Sequence, residues 1–321
     1  MTHAPLDRRG LWIAVTSFVL WGIMPLWWHL MKSVPSLQIV LHRIAWSAVI
    51  VGAYLTWKQG RGWLRAALAK PNVAWMLAIS GVLIGFNWGL YIWAVNAGHV
   101  VESSLGYFIN PLLNVLLGVV LLRERLGRAQ WVSVAIATLG VAWLTFRFGQ
   151  LPWIALALAA SFALYGLIRK LAAVDSIPGL GVEGAYLFLP VVALLAWTEL
   201  HGQGGFFASR ADGGYGFWMV VMLVVSGGLT ALPLVGFAYA VRRIPLSVVG
   251  LLQYIAPTMQ FLLGVFFYRE PFDRDRAIGF ACIWIALAIF AIDGALRARR
   301  ASVGAAAALA SASPGTPATS R

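Results

Sequence analysis

The sequence predicts an all-α polytopic membrane protein with ten transmembrane helices, built as two inverted five-helix repeats. Composition, run length and an internal repeat each point there. Hydrophobic residues make up 61% of the 321 and charged residues 11%, whereas a soluble domain carries about 25% charged. So few polar groups cannot cover a surface in water, and the solvent must be lipid. The 16 tryptophans fit, because amphipathic rings collect at bilayer interfaces. A net charge of +13 would suit nucleic acid, but the basic residues fall between apolar runs, where they anchor loops to anionic headgroups. Membrane lipids are the expected surroundings, and no nucleic-acid partner is expected. The single cysteine, Cys282, excludes an intramolecular disulfide.

A bilayer core takes about 20 apolar residues as helix. Ten runs qualify: 11–30, 37–57, 73–95, 100–122, 129–146, 151–168, 182–197, 217–241, 246–268 and 277–292, the seventh and tenth being short. They are too long and too uniformly apolar for barrel strands, which alternate. The first run is too long for a signal-peptide core and reads as a retained helix.

Loop charges test the count. With a cytoplasmic N-terminus, the inside segments carry Arg8, Arg9, Lys58, Arg61, Arg65, Lys70, Arg123, Arg125, Arg128, Arg169, Lys170, Arg242, Arg243, Arg297, Arg299 and Arg300. The outside segments carry only Lys32, Arg147, Arg210, Arg269, Arg274 and Arg276. This bias places both termini inside; a bacterial inner membrane is the expected location.

A repeat appears when the sequence is shifted by 146 positions. Ser80-Gly81 falls on Ser226-Gly227, Pro111 on Pro257, Leu117-Gly118 on Leu263-Gly264 and Arg123-Glu124 on Arg269-Glu270. The first run joins at a shift of 144, with Ser17-Phe18 on Ser161-Phe162. Chance matches between apolar helices are common, but a fixed phase that includes proline, glycine and an Arg-Glu pair is not. The units are therefore 1–150, the inverted 151–296, and a tail, 297–321, rich in Ala, Ser, Pro and Thr and expected to be disordered. Five helices per copy is odd, so the second copy enters from the opposite side. Inverted repeats are a transporter signature, with substrate held near the midplane between the halves.

Several stretches resemble a known family. They are GHVVESSLGYFINPLLNVLLGVVLLRERL (98–126), LHRIAWS (41–47), SFALYGLIRK (161–170) and LQYIAPTMQFLLGVFFYREP (252–271, preceded by Leu251). Together they are similar to the RarD branch of the EamA family in the drug/metabolite transporter superfamily, over about residues 8–296. The resemblance implies ten helices in a five-plus-five inverted repeat and export of small metabolites or drugs.

Ionisable groups inside spans are costly and default to functional hypotheses. His42 and Arg43 sit in the second run towards the outside; Glu183 begins the seventh, towards the cytoplasm. Arg43 can fork onto an anionic substrate group, and Glu183 is the candidate for proton coupling. Snorkelling to the nearer interface is the competing reading for each. In the fourth run, Ser103, Tyr107, Asn110 and Asn114 share a helical face; in the ninth, Gln253, Pro257 and Gln260 do, with Tyr254 beside them. Such stripes line a cavity or glue helices together. Pro111 and Pro257 free backbone carbonyls near mid-membrane and are candidate hinges. Asn87, with Trp88 and Tyr91, could wall a site for a flat amphipathic compound.

No HExxH, nucleophile elbow or Walker loop occurs in the sequence, so no enzyme, metal or cofactor is expected and no ATP-driven pump lies within this chain. A secondary carrier for a small molecule remains, with a homodimer compatible. The alternatives are an intramembrane enzyme, for which His42 with Glu102 is the best available dyad, and a channel or sensor.

Overall fold

The computed structural model describes residues 7–97, 99–149, 151–207, 214–267 and 274–312. The described residues are helices and short connections. Helix α1 (Arg8–Leu30) starts at Asp7, whose carboxylate accepts from the backbone N–H of Arg9 and Gly10 at 2.9 and 3.2 Å. It is followed by α2 (Ser36–Gln59), α3 (Trp63–Leu68), α4 (Pro71–Asn96), α5 (Val100–Val120) and α6 (Arg128–Phe148). The second copy comprises α7 (Trp153–Leu171), α8 (Ser176–Leu200), α9 (Phe217–Val241), α10 (Leu246–Gln253), α11 (Ile255–Leu262) with a π-helical turn Leu263–Phe267, and α12 (Arg274–Ala312). Ten segments are long and apolar enough to cross a bilayer, with α10, α11 and the π turn forming the ninth and the short α3 linking the second to the third.

Packing follows the inversion. Helix α1 lies on α9 as its counterpart α7 lies on α4, while α2 pairs with α8, α5 with α10 and α6 with α12. The connections sort into two ends, as alternating crossings require. At one end Asp7 meets Arg243 (3.7 Å), Asp175 meets Arg242 (3.0 Å) and Lys170 meets Glu124 (3.7 Å). At the other, Arg147 meets Asp275 (2.6 Å) and Glu102 accepts from the N–H of Ile154 (2.8 Å). We call these the basic end and the far end.

The repeated Arg-Glu pair has a structural use in its first copy. Glu124 accepts from the N–H groups of Leu246 (2.7 Å) and Ser247 (2.9 Å) at the buried start of α10, where a carboxylate suits the helix dipole. Its counterpart at 270 lies outside the described residues.

Three features depart from the sequence reading. Helix α8 begins at Ser176, so Glu183 lies two turns inside it rather than at its mouth. The ninth span is broken at Tyr254, just before Pro257, whereas α5 runs unbroken through Pro111. Tyr254 keeps helical dihedrals (φ −63°, ψ −14°), so only the hydrogen-bond ladder is interrupted there, beside the second hinge candidate. Helix α12 continues to Ala312, because the alanine-rich sequence expected to be disordered from 297 has high helix propensity; residues 313–321 lie outside the described part.

Where α10 crosses α5, a Cβ on Gly250 would stand 2.6 Å from the Pro111 carbonyl oxygen and 3.0 Å from Asn114 Cβ. Gly250→Val is expected to push the crossing apart at a cost of about 1–3 kcal/mol. A thermal-unfolding scan of the detergent-solubilised protein should show a lowered midpoint; an unchanged midpoint would mean that the crossing tolerates separation.

Candidate functional site

A cavity of about 350 Å³ lies between the two halves, within the size range of small-molecule sites. Its wall reaches Trp28 and Ser36 near the far end and Gln253 and Leu234 near mid-membrane. Towards the basic end, rings close it. Phe237 stands 5.2 Å from Phe162 and 6.3 Å from Phe18, and Tyr165 stacks on Phe237 at 6.0 Å. The lumen therefore belongs to the far half of the bundle.

Arg43 provides the cation of this wall. Its Nε donates to Thr230 Oγ1 at 2.9 Å, and its guanidinium carbon lies 4.3 Å from the Trp28 ring centre and 5.8 Å from that of Trp88. The Thr230 bond and the indole faces fix the plane of the fork. Among the described residues no hydrogen-bond acceptor takes its two Nη groups. Across the lumen, Tyr91 and Tyr107 meet edge to face at 6.1 Å.

Both polar stripes contribute to the wall. Asn110, Gln253 and Gln260 line the lumen, and Asn114 sits fully buried one layer behind. Asn114 Nδ2 donates to Gln253 Oε1 at 2.7 Å and lies 3.5 Å from Asn110 Oδ1, joining the two copies. Gln260 donates to the Trp21 carbonyl at 3.3 Å. Asn87 also lines the lumen and is held by the Leu158 carbonyl (2.8 Å) and Ser161 Oγ (2.9 Å). Pro257 lines it as well, while Pro111 sits at the α5–α10 crossing.

Two candidates stand elsewhere. Tyr254 is buried, donates to the Phe108 carbonyl at 3.1 Å and packs with Ile283 and Ala286 of α12, because it follows Gln253 by one residue and so lies on a different face of the helix. His42 stacks on Phe206 at 4.6 Å behind the wall, while Glu102 is held by the start of α7. The structure does not bring these two together as a dyad.

Glu183 is buried, not interfacial. It accepts from Ser80 Oγ, lies 3.5 Å from Tyr165 Oη and sits 3.5 Å from Arg169 Nε, both charged side chains being 1% exposed or less. A void of about 20 Å³ lined by Trp88, Leu234 and Glu183 separates this cluster from the lumen. Sequence reasoning missed Arg169 and Ser80. Arg169 adjoins Lys170 at the end of a run and looked like a loop anchor. Arg43 and Glu183 also prove to be equivalent: each is seven residues beyond the first serine of its helix, Ser36 or Ser176. Their polar partners correspond within one turn, since Ser80 matches Ser226 and Thr230 follows on the same face of α9.

Comparison with known proteins places this architecture. The EamA-like transporter family matches residues 8–146. Protein RarD of Streptomyces exfoliatus is 43% identical over 92% of this chain and 91% of its own length. An uncharacterized transporter of Pseudomonas aeruginosa, PA0485, is 42% identical over 91% of this chain and 96% of its own. A crystal structure 20% identical in sequence aligns with 87% of this chain and 96% of its own at a TM-score of 0.66, which shows the shared fold. The chain is thus a multi-pass membrane protein of the EamA-like transporter family, in its RarD branch.

Proposed function

We propose that this protein is a secondary carrier for a small, flat organic anion, working by alternating access in the bacterial inner membrane. Arg43 carries the reading. A cation with two undirected Nη groups, set between indole faces in a lumen of small-molecule size, is suited to a carboxylate or phosphate attached to an apolar or aromatic body. Arg43 anchors the anion, while Asn110, Gln253 and Gln260 orient the rest. The basic end is cytoplasmic, and export is the direction that the family resemblance implies. Glu183 is the proton-coupling group.

Reconstitution in liposomes tests the reading. Benzoate, indole-3-acetate and phenyl phosphate are expected to show saturable counterflow, and the neutral amide benzamide none. A flux of benzamide equal to that of benzoate would remove Arg43 from the site.

Orientation has its own test. Reporter fusions at Arg61 and Gly202 should read cytoplasmic and external respectively; the reverse pattern would invert the assignment of the two ends.

Lumen access separates wall from glue. In a Cys282→Ala background, cysteines at Asn110, Gln253 and Gln260 should react with a water-soluble maleimide at least tenfold faster than one at Tyr254, the rate following solvent access. Equal rates would reduce the stripes to helix packing.

A further inference from the structure

The pair of states needed for alternating access is written into the inversion. Lumen residues of the far half map onto a packed set near the basic end. Ser36 corresponds to Ser176, Ile39 to Gly179 and Arg43 to Glu183; at the 144 shift, Trp21 corresponds to Tyr165 and Pro25 to Arg169. These counterparts touch one another. Arg169 Nη2 donates to the Ser176 carbonyl at 2.9 Å, its guanidinium lies on the Cα of Gly179 where any Cβ would collide, and Glu183 stands beside it. An exchange of conformations between the halves would make these residues the wall of a lumen open to the basic end.

Arg169 is poorly satisfied where it lies. It is 1% exposed, yet Nε and Nη1 have no hydrogen-bond partner, and the ion pair with Glu183 is loose at 3.5 Å. A buried guanidinium with five donors and one good hydrogen bond is set up to accept a better partner. The groups facing Glu183 are few. Arg169 and Tyr165 come from α7 and Ser80 from α4, whereas α2 presents Ile44 and Ser47 and α9 presents Leu234, none of them ionisable. Arg169 is therefore the single cation opposite this carboxylate among the described residues.

We propose that Arg169 is a second anion-binding residue, serving the lumen open to the basic end, and that Glu183 occupies it as an internal surrogate for substrate in the state seen here. This rests on the reading of Arg43 as the anion anchor of the far lumen. Substrate anion and the Glu183 carboxylate compete for one guanidinium. An arriving anion displaces Glu183, which takes a proton from the basic-end solvent; loss of that proton returns the carboxylate to Arg169 and ejects the anion. The site thus holds either an internal pair or an anion with a proton, so the anion and the proton are loaded together.

Charged thiol reagents probe this without a known substrate. In full-length Cys282→Ala protein in membrane vesicles exposing the basic end, Leu180→Cys should react with the anionic ethylsulfonate methanethiosulfonate on the order of tenfold faster than with the cationic trimethylammonium reagent, as expected for a unit charge nearby. Acid should raise the ratio of the anionic to the cationic rate, in which the shared loss of thiolate cancels. Glu183→Gln should hold that ratio high at every pH. The double variant Arg169→Gln/Glu183→Gln, which leaves no buried charge unpaired, should lose the preference for the anion. Retention of that preference in the double variant, or no reaction at Leu180→Cys in any background, would overturn the proposal. Ile39→Cys with and without Arg43→Gln, probed from the far end, tests the parent reading separately. Loss of charge preference at Leu180→Cys with its retention at Ile39→Cys sinks Arg169 alone; absence of any dependence on Arg43 at Ile39→Cys sinks the anchor on which it rests.

Discussion

Arg43→Lys is expected to raise the half-saturation concentration for benzoate counterflow about tenfold, and Arg43→Gln to abolish saturable counterflow. Truncating one partner of a desolvated charge pair costs about 2–5 kcal/mol, which is more than a factor of ten in affinity. Lysine keeps the charge but loses the planar fork, and with it the Nε bond to Thr230 and the stacking on Trp28 that orient the fork. A topology anchor would show the reverse pattern, since lysine serves that role as well as arginine. Normal counterflow in Arg43→Lys would therefore return Arg43 to an interfacial role and leave recognition to Asn110, Gln253 and Gln260.

Glu183→Gln is expected to be the most destabilising single substitution in the buried cluster. Removing one partner of a buried ion pair costs about 3–5 kcal/mol, because the remaining charge stays desolvated. Here the remaining charge is Arg169, fully enclosed and with a single hydrogen bond. Arg169→Gln alone should fall in the same range, and the double Gln variant should recover most of the loss. Apparent melting midpoints of the four proteins form the cycle that measures the coupling. Additive losses would mean that the two groups do not interact. The substitution should also remove the pH dependence of counterflow while leaving exchange partly intact, as neutral glutamine stands in for the protonated acid but cannot return as a carboxylate to eject the anion.

Much of this was legible in one sequence. Apolar runs of bilayer length placed the ten spans, because a lipid solvent leaves a segment little choice but helix. The phase of 146 exposed the inversion, because proline, glycine and charge recur at fixed intervals. The stripes were visible as steps of three and four, so Asn110, Gln253 and Gln260 share a lumen, as their spacing suggested. The neighbours across helices were not visible. Arg169 is buried only because Gly179, ten residues on and in another helix, leaves room for its guanidinium. Tyr254 shares a run with Gln253, yet its face of the helix packs on α12. Such facts depend on where helices end and cross, which apolar periodicity does not encode.

Distances at the two ends test the central claim most directly. Spin-label pairs at Ser33 and Ala97 span the far rim beside the observed lumen. The inversion carries this pair to Ala173 and Arg243 at the basic end, both exposed. Pulsed electron–electron resonance on each pair in lipid nanodiscs, with and without benzoate and at acid and neutral pH, reads the two gates in turn. The expected result is two populations at each end whose weights move in opposition, the far pair shortening under the conditions that lengthen the basic pair. A single unchanging distance at both ends, or both pairs lengthening together as in an open channel, would contradict alternating access in this protein.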